Sequence, residues 1–193
     1  QTGGWADQLV VSTANFVVLL MVARWAGVAE LGFYSIAFSL LALAFALQDS
    51  LVTRPYTVQM LDATGDPRIH SSGALAFAAF LAAGLSLLAG LTAAILWLYR
   101  GEGGHPLTLA AALAVAFPLL MLREFARRYS FAHLRTWRIL SADVTASALA
   151  TAGMLLLASY GKLTAVMAIL VLAGAAGVAT AGWFLGNRTS FAF

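Results

Sequence analysis

The sequence predicts an all-α polytopic membrane protein with six transmembrane helices. Three observations carry that expectation. Of its 193 residues 62% are hydrophobic and only 10% charged, against about 25% charged in a soluble domain. Mean hydropathy is +0.89. The apolar residues also fall into six runs, each near the roughly 20 residues a bilayer crossing needs. A soluble fold of this size exposes too much surface to hide so much apolar chain. This composition excludes a cytosolic enzyme, a disordered tail and a disulfide-stapled secreted domain. Cysteine is absent, which removes disulfides and thiolate metal sites.

The first run extends from Gln8 to about Ala29. No basic segment precedes it and it closes on Arg24, so it reads as a helix and not a cleaved signal. Gly27 and Gly32 bracket a tight turn into the second run, Leu31 to Thr53. A polar loop, Asp62-Ala63-Thr64-Gly65-Asp66-Pro67, separates that from the third, Gly73 to Tyr99. Gly101-Glu102-Gly103-Gly104-His105-Pro106 leads to the fourth, Leu107 to about Phe131. The fifth is Ile139 to Tyr160, and the short Gly161-Lys162 turn opens the sixth, Leu163 to Gly186. None of these runs alternates polar and apolar residues, which favours helices over barrel strands. The chain opens Gln1-Thr2-Gly3-Gly4 and is expected to be part of something longer.

Eleven basic residues face eight acidic ones, a net charge of +3. In a membrane protein this balance reports topology and not nucleic-acid binding. One set of loops and span ends holds Arg54, Arg68, Arg123, Arg127, Arg128, Arg135, Arg138 and Arg188; the other holds Arg24, Arg100 and Lys162. The first side is expected to be cytoplasmic, which puts both ends of the segment in the cytoplasm. Small residues recur through spans three and six, including Gly174, Gly177 and the Gly182/Gly186 pair. They are expected to let helices pack closely, with the Gly182/Gly186 pair a weak dimer signal.

Ionisable groups at bilayer depth each need an explanation, because inserting one costs about 2.5–3.5 kcal/mol. Glu124 and Arg128 are four residues apart and are expected to pair. Arg123 and Arg127 share a face and are left as a less compensated cation pair. Asp49, five residues before Arg54, is too distant for good pairing within an α-helix. Two readings stay open for the Arg123–Arg128 stretch. One is an anchor to lipid phosphates; the other is a cationic wall for a phosphate-bearing substrate, which the planar guanidinium grips bidentately. Arg24 is left between a structural contact, to loop carbonyls or Glu30, and a substrate role. Asp143 is left between a cap or helix–helix pair and a coupling carboxylate. Asn15 and Gln48 are left between interhelical hydrogen bonds and polar ligands.

Trp5-Ala6-Asp7-Gln8-Leu9-Val10-Val11-Ser12, then Asn15-Phe16, then Ala23-Arg24-Trp25-Ala26-Gly27-Val28-Ala29-Glu30-Leu31-Gly32-Phe33-Tyr34 resembles the first helix and first loop of the polysaccharide (O-antigen type) flippases. Gln48-Asp49-Ser50-Leu51 with Arg54-Pro55-Tyr56-Thr57 is similar to that family's second-helix exit. Arg123-Glu124-Phe125 with Arg127-Arg128 is similar to the arginine-rich end of its fourth helix. In this setting Tyr34 suits the membrane interface.

The resemblance implies the multidrug/oligosaccharidyl-lipid/polysaccharide exporter superfamily, whose fold is two six-helix lobes around a cavity worked by alternating access. Residues 1–193 would form the N-terminal lobe, with the second lobe outside this chain or supplied by a dimer partner. The implied substrate is an undecaprenyl-pyrophosphate-linked oligosaccharide in a bacterial inner membrane. Arg24, Arg54, Arg123 and Arg127 are the candidates for pyrophosphate, and Asn15, Gln48 and Asp49 for the sugar path. Asp49 or Asp143 would couple transport to an ion gradient. No cofactor and no metal is expected. An Arg123→Ala substitution is expected to reduce flipping and leave insertion intact.

Two other classes compete. A cation-coupled drug exporter of the same superfamily should carry acidic groups in its cavity, whereas the near-membrane charges here lean to arginine. A non-transporting scaffold subunit would use the six helices to hold a partner. An enzyme is not expected: the acids are scattered, Ser86 has no histidine at its depth, and His70, His105 and His133 sit at span ends or in loops.

Overall fold

The computed structural model describes residues 2–62, 67–100, 104–133 and 136–187, with side chains for all of these but 2–8, 10–11, 60–62, 67, 100, 136 and 138–139. The described residues are helical throughout apart from short turns. Helix α1 is Thr2–Trp25, α2 Val28–Gln48, α3 Arg54–Asp62, α4 Pro67–Arg100, α5 His105–Ala132, α6 Thr136–Ser159 and α7 Ala165–Asn187. A π-helical turn, Asp49–Thr53, joins α2 to α3 without a break. The 63–66 loop, Gly101–Gly103, Arg135, Arg188 and the side chains of Arg100 and Arg138 lie outside the described residues.

Among the described residues five helices are long and apolar enough to cross a membrane: Val28–Gln59, Arg68–Tyr99, His105–Ala132, Leu140–Ser159 and Ala165–Asn187. In the first helix the corresponding apolar stretch, Ser12–Trp25, is shorter. The described residues thus have the all-helical, multi-pass character of a membrane protein, with five helices of spanning length among them.

The turns form where the sequence permits them. Gly27 has φ 93°, a left-handed conformation that side chains resist. It starts α2 directly, so the break falls at Gly27 alone and Gly32 lies inside the helix. Gly161 has φ 63°. Around it the Lys162 N–H bonds to the Leu157 carbonyl and the Gly161 N–H to the Ala158 carbonyl, the paired bonds that close a helix on a left-handed glycine. The second and third spans extend beyond their expected limits. Helix continues from Thr53 to Asp62, and α4 starts at Pro67, six residues before Gly73.

Helices α5 and α7 are the most enclosed. α5 packs on α4 and α7, α7 on α6, and α6 on α1, while α2 lies against α5, α7 and α1. Pro118 lies inside α5, which continues through it. Proline has no N–H to offer the carbonyl four residues back. That carbonyl belongs to Ala114, and it accepts the Ser86 hydroxyl of α4 at 2.5 Å. Close approach comes from two glycines. A Cβ at Gly153 would lie 2.9 Å from Val171 Cγ1, and one at Gly177 3.3 Å from Leu119 Cδ2. Gly174, Gly182 and Gly186 meet nothing within 4 Å. Tyr34 does not face outward. It is 2% exposed and packs with Val18, Ala37 and Leu41 in the main core, because its position on α2 faces inward with those residues.

Two sets of contacts define the ends of the bundle. At one end the starts of α2, α5 and α7 meet: Glu30 accepts the Ala165 N–H at 2.6 Å and lies 3.5 Å from His105 Nδ1. At the other, Tyr56 of α3 shares a hydrogen bond with Ser71 of α4, and Trp183 of α7 donates to Ser130 of α5.

Candidate functional site at the arginine-rich end

The second end gathers Arg54, Arg68, Arg123, Arg127 and Arg128, the basic residues of one sequence-defined side whose side chains the structure describes. Four of them enter a continuous chain of ion pairs that ties the π turn and α3 to α5 and α6.

The chain begins at the π turn. Five residues of α-helix would leave Asp49 and Arg54 about 140° apart around the axis, the reason the sequence argues against their pairing. The π winding, with the Arg54 N–H bonded to the Asp49 carbonyl, corrects this. It brings Arg54 Nε to 3.0 Å from Asp49 Oδ2. Asp49 Oδ1 lies 3.7 Å from Arg128 Nη1 of α5. Arg128 Nε donates to Glu124 at 2.8 Å, the expected i,i+4 pair, and Glu124 also lies 3.5 Å from Arg127.

Arg123 and Arg127 share a face as expected, but they are compensated. Asp143 of α6 has a fully buried side chain between them, with Oδ1 2.5 Å from Arg123 Nη2 and Oδ2 3.6 Å from Arg127 Nε. A buried carboxylate is costly unless paired, and two guanidiniums on one helix face supply the pairing. Asp143 is thus a helix–helix ion pair in this structure.

The polar candidates divide. Gln48 is wholly buried beneath the cluster, and its Nε2 donates to the Met121 carbonyl at 3.0 Å. Asn15 of α1 lines a cavity of about 30 Å³ with Arg123, Ser147 and Thr151, room for roughly one water molecule. Arg24 lies elsewhere. It ends α1 while Asp49 follows the far end of α2, and the 21 residues of α2 span about 30 Å. Arg24 is exposed, and no ion pair to it is found among the described residues. Its candidate partner Glu30 is engaged with α7 and His105. The structure therefore joins Arg54, Arg123, Arg127, Asp49 and Asp143, sets Gln48 and Asn15 next to them, and leaves Arg24 at the opposite end.

Among the described residues four guanidiniums meet three carboxylates in these ion pairs, an excess of one positive charge. Side-chain exposure is 24% for Arg123 and 15% for Arg127, against 77% for Arg54 and 46% for Arg128. The two most exposed guanidiniums, Arg54 of α3 and Arg128 of α5, lie at the surface, and the Arg123–Asp143 and Arg127–Asp143 pairs lie beneath. No group of histidine and acidic side chains able to hold a metal ion occurs among the described residues. No family model, curated protein or solved structure matches the chain.

Proposed function

We propose that the chain is one six-helix lobe of a two-lobe exporter that flips a lipid-pyrophosphate-linked oligosaccharide by alternating access. In this reading its arginine-rich end faces the cytoplasm of a bacterial inner membrane and the second lobe comes from the same native polypeptide or a dimer partner. The observation that carries it is the ion-pair chain running from Asp49 to Asp143 with cations in excess and its two most exposed members at the surface. Pyrophosphate is doubly charged, and guanidinium meets its oxygens with paired N–H groups. Every carboxylate in the chain is held by arginine, an arrangement that serves an anionic cargo better than a cationic drug.

In this proposal Arg54 and Arg128 meet the headgroup. Arg123 and Arg127 hold α5 to α6 through Asp143, so that these helices move as one body when the lobe rocks. The test is translocation in proteoliposomes holding the native full-length polypeptide. A fluorescent lipid-linked oligosaccharide is loaded in both leaflets and quenched from outside. Accelerated loss of the protected fraction is expected. Protection equal to that of empty vesicles, with the protein inserted, would overturn the reading.

A further inference from the structure

Asp49 touches two exposed guanidiniums on two different helices. Arg54 spends its Nε on Asp49 Oδ2. Arg128 spends its Nε on Glu124 and turns Nη1 toward Asp49 Oδ1. Among the described residues, both Nη groups of Arg54 and Nη2 of Arg128 have no partner, and both side chains stand at the surface. Long arginine side chains at a surface ordinarily sample many rotamers. Here one carboxylate, 22% exposed, lies between both, hydrogen-bonded to Arg54 at 3.0 Å and in ion-pair range of Arg128 at 3.7 Å. It reaches Arg54 only because the π turn places residues five apart on one face, and local π geometry is frequent where a helix serves a site.

We infer that Asp49 is a positioning residue that holds Arg54 and Arg128 as a two-armed fork for a phosphate oxyanion. The inference rests on the anionic-headgroup reading above and goes further, because it gives a carboxylate a favourable role in binding an anion. Simple Coulomb attraction predicts the reverse: removing a negative charge beside an anion site should tighten binding. The fork predicts loosening, because the Nη groups lose their common orientation and each immobilised arginine must be ordered by the ligand. The phosphate can be free or carried by a lipid headgroup, since the donors recognise the oxygens alone.

The experiment measures inorganic pyrophosphate binding to the purified chain in neutral detergent by calorimetry. In parallel it measures binding of phosphatidic acid to the chain in phosphatidylcholine nanodiscs. Arg54→Gln and Arg128→Gln should each weaken binding about tenfold, the loss of a charge-assisted hydrogen bond. Asp49→Asn should weaken it similarly despite the charge it removes, and Asp49→Glu should recover part of the loss. Binding in the nanodisc alone assigns the phosphate to a lipid, and binding of pyrophosphate alone to a soluble ligand; the fork stands in both. Equal or tighter binding by Asp49→Asn overturns the inference, as does failure of the wild type to bind either probe. Should Asp49→Asn not fold, Arg54→Lys and Arg128→Lys decide, because they keep charge and lose the planar fork: undiminished binding overturns it. A flippase failure shows separately, as absent translocation with fork binding intact.

Discussion

Arg123 of α5 and Asp143 of α6 meet at 2.5 Å, with the carboxylate fully buried. The pair is a lock between two helices, and this changes what substitution at Arg123 should do. Arg123→Ala removes the closer of the two guanidiniums from a buried Asp143 and leaves Arg127 Nε 3.6 Å away. Breaking one side of a buried pair costs about 3–5 kcal/mol. The expected outcome is lost thermal stability in detergent and poor membrane abundance, not the clean transport defect that the sequence predicts. Arg123→Met with Asp143→Leu should be closer to wild type than either single change, because no charge is stranded. Thermal unfolding of the four proteins checks this, and a double variant no better than the singles refutes the lock.

Ser86 has a structural role legible only with α5 in view. Its hydroxyl takes the Ala114 carbonyl released by Pro118, as membrane helices commonly re-satisfy backbone freed by proline. Ser86→Ala should cost about 1 kcal/mol. In a Pro118→Ala background the Ala114 carbonyl regains a helical N–H, and Ser86→Ala should then cost much less. A double-mutant cycle on unfolding free energies measures the coupling, and additivity would refute it.

The helices were legible in the sequence, because membrane solubility writes itself as long apolar runs. Glycine punctuation at Gly27 and Gly161 was legible for the same local reason. The Glu124–Arg128 pair followed from helical spacing. The Arg123–Asp143 pair did not, since it joins residues 20 apart on two helices and depends on how α5 and α6 are rotated. Nor was the π turn read, although it leaves a trace. Buried positions on α2 step by three and four through Tyr34, Ala37, Leu41, Ala44 and Gln48, then by four and four to Val52 and Tyr56. That extra residue is the π insertion. Gly153 ends a run of small residues, Ala146, Ser147, Ala148, Ala150, Thr151 and Ala152, and among the described glycines it makes the closest approach to a neighbouring helix; which residue of such a run meets the neighbour depends on how α6 is rotated.

The glycines should separate by what lies opposite them. Gly153→Ala would press a methyl group to within 2.9 Å of Val171 Cγ1, so the Val171 side chain must turn or α6 and α7 must part, at a cost of about 1–3 kcal/mol. Val171→Ala should relieve it. Gly174→Ala meets open space and should be neutral or slightly stabilising through helix propensity. Unfolding midpoints of the three variants provide the comparison; equal losses at Gly153 and Gly174 would show that the α6–α7 approach does not depend on the missing Cβ.

The π turn makes a prediction about chain length. A π turn is one extra residue in an otherwise α-helical phase, so deleting Ser50, which is exposed, should restore regular helix and leave both flanks facing as they do now. Asp49 and Arg54 would then stand four residues apart, a good spacing for an ion pair, and Gln48 and Tyr56 would keep their buried places. Deleting Ala42, exposed in the middle of α2, instead turns everything beyond it by about 100° and drives Ala44 and Gln48 out of the core. The Ser50 deletion should therefore insert and unfold much like the parent, and the Ala42 deletion should not. Membrane abundance and the detergent unfolding midpoint distinguish them. If both deletions are equally damaging, the Asp49–Thr53 segment is not an inserted residue in an α-helical frame.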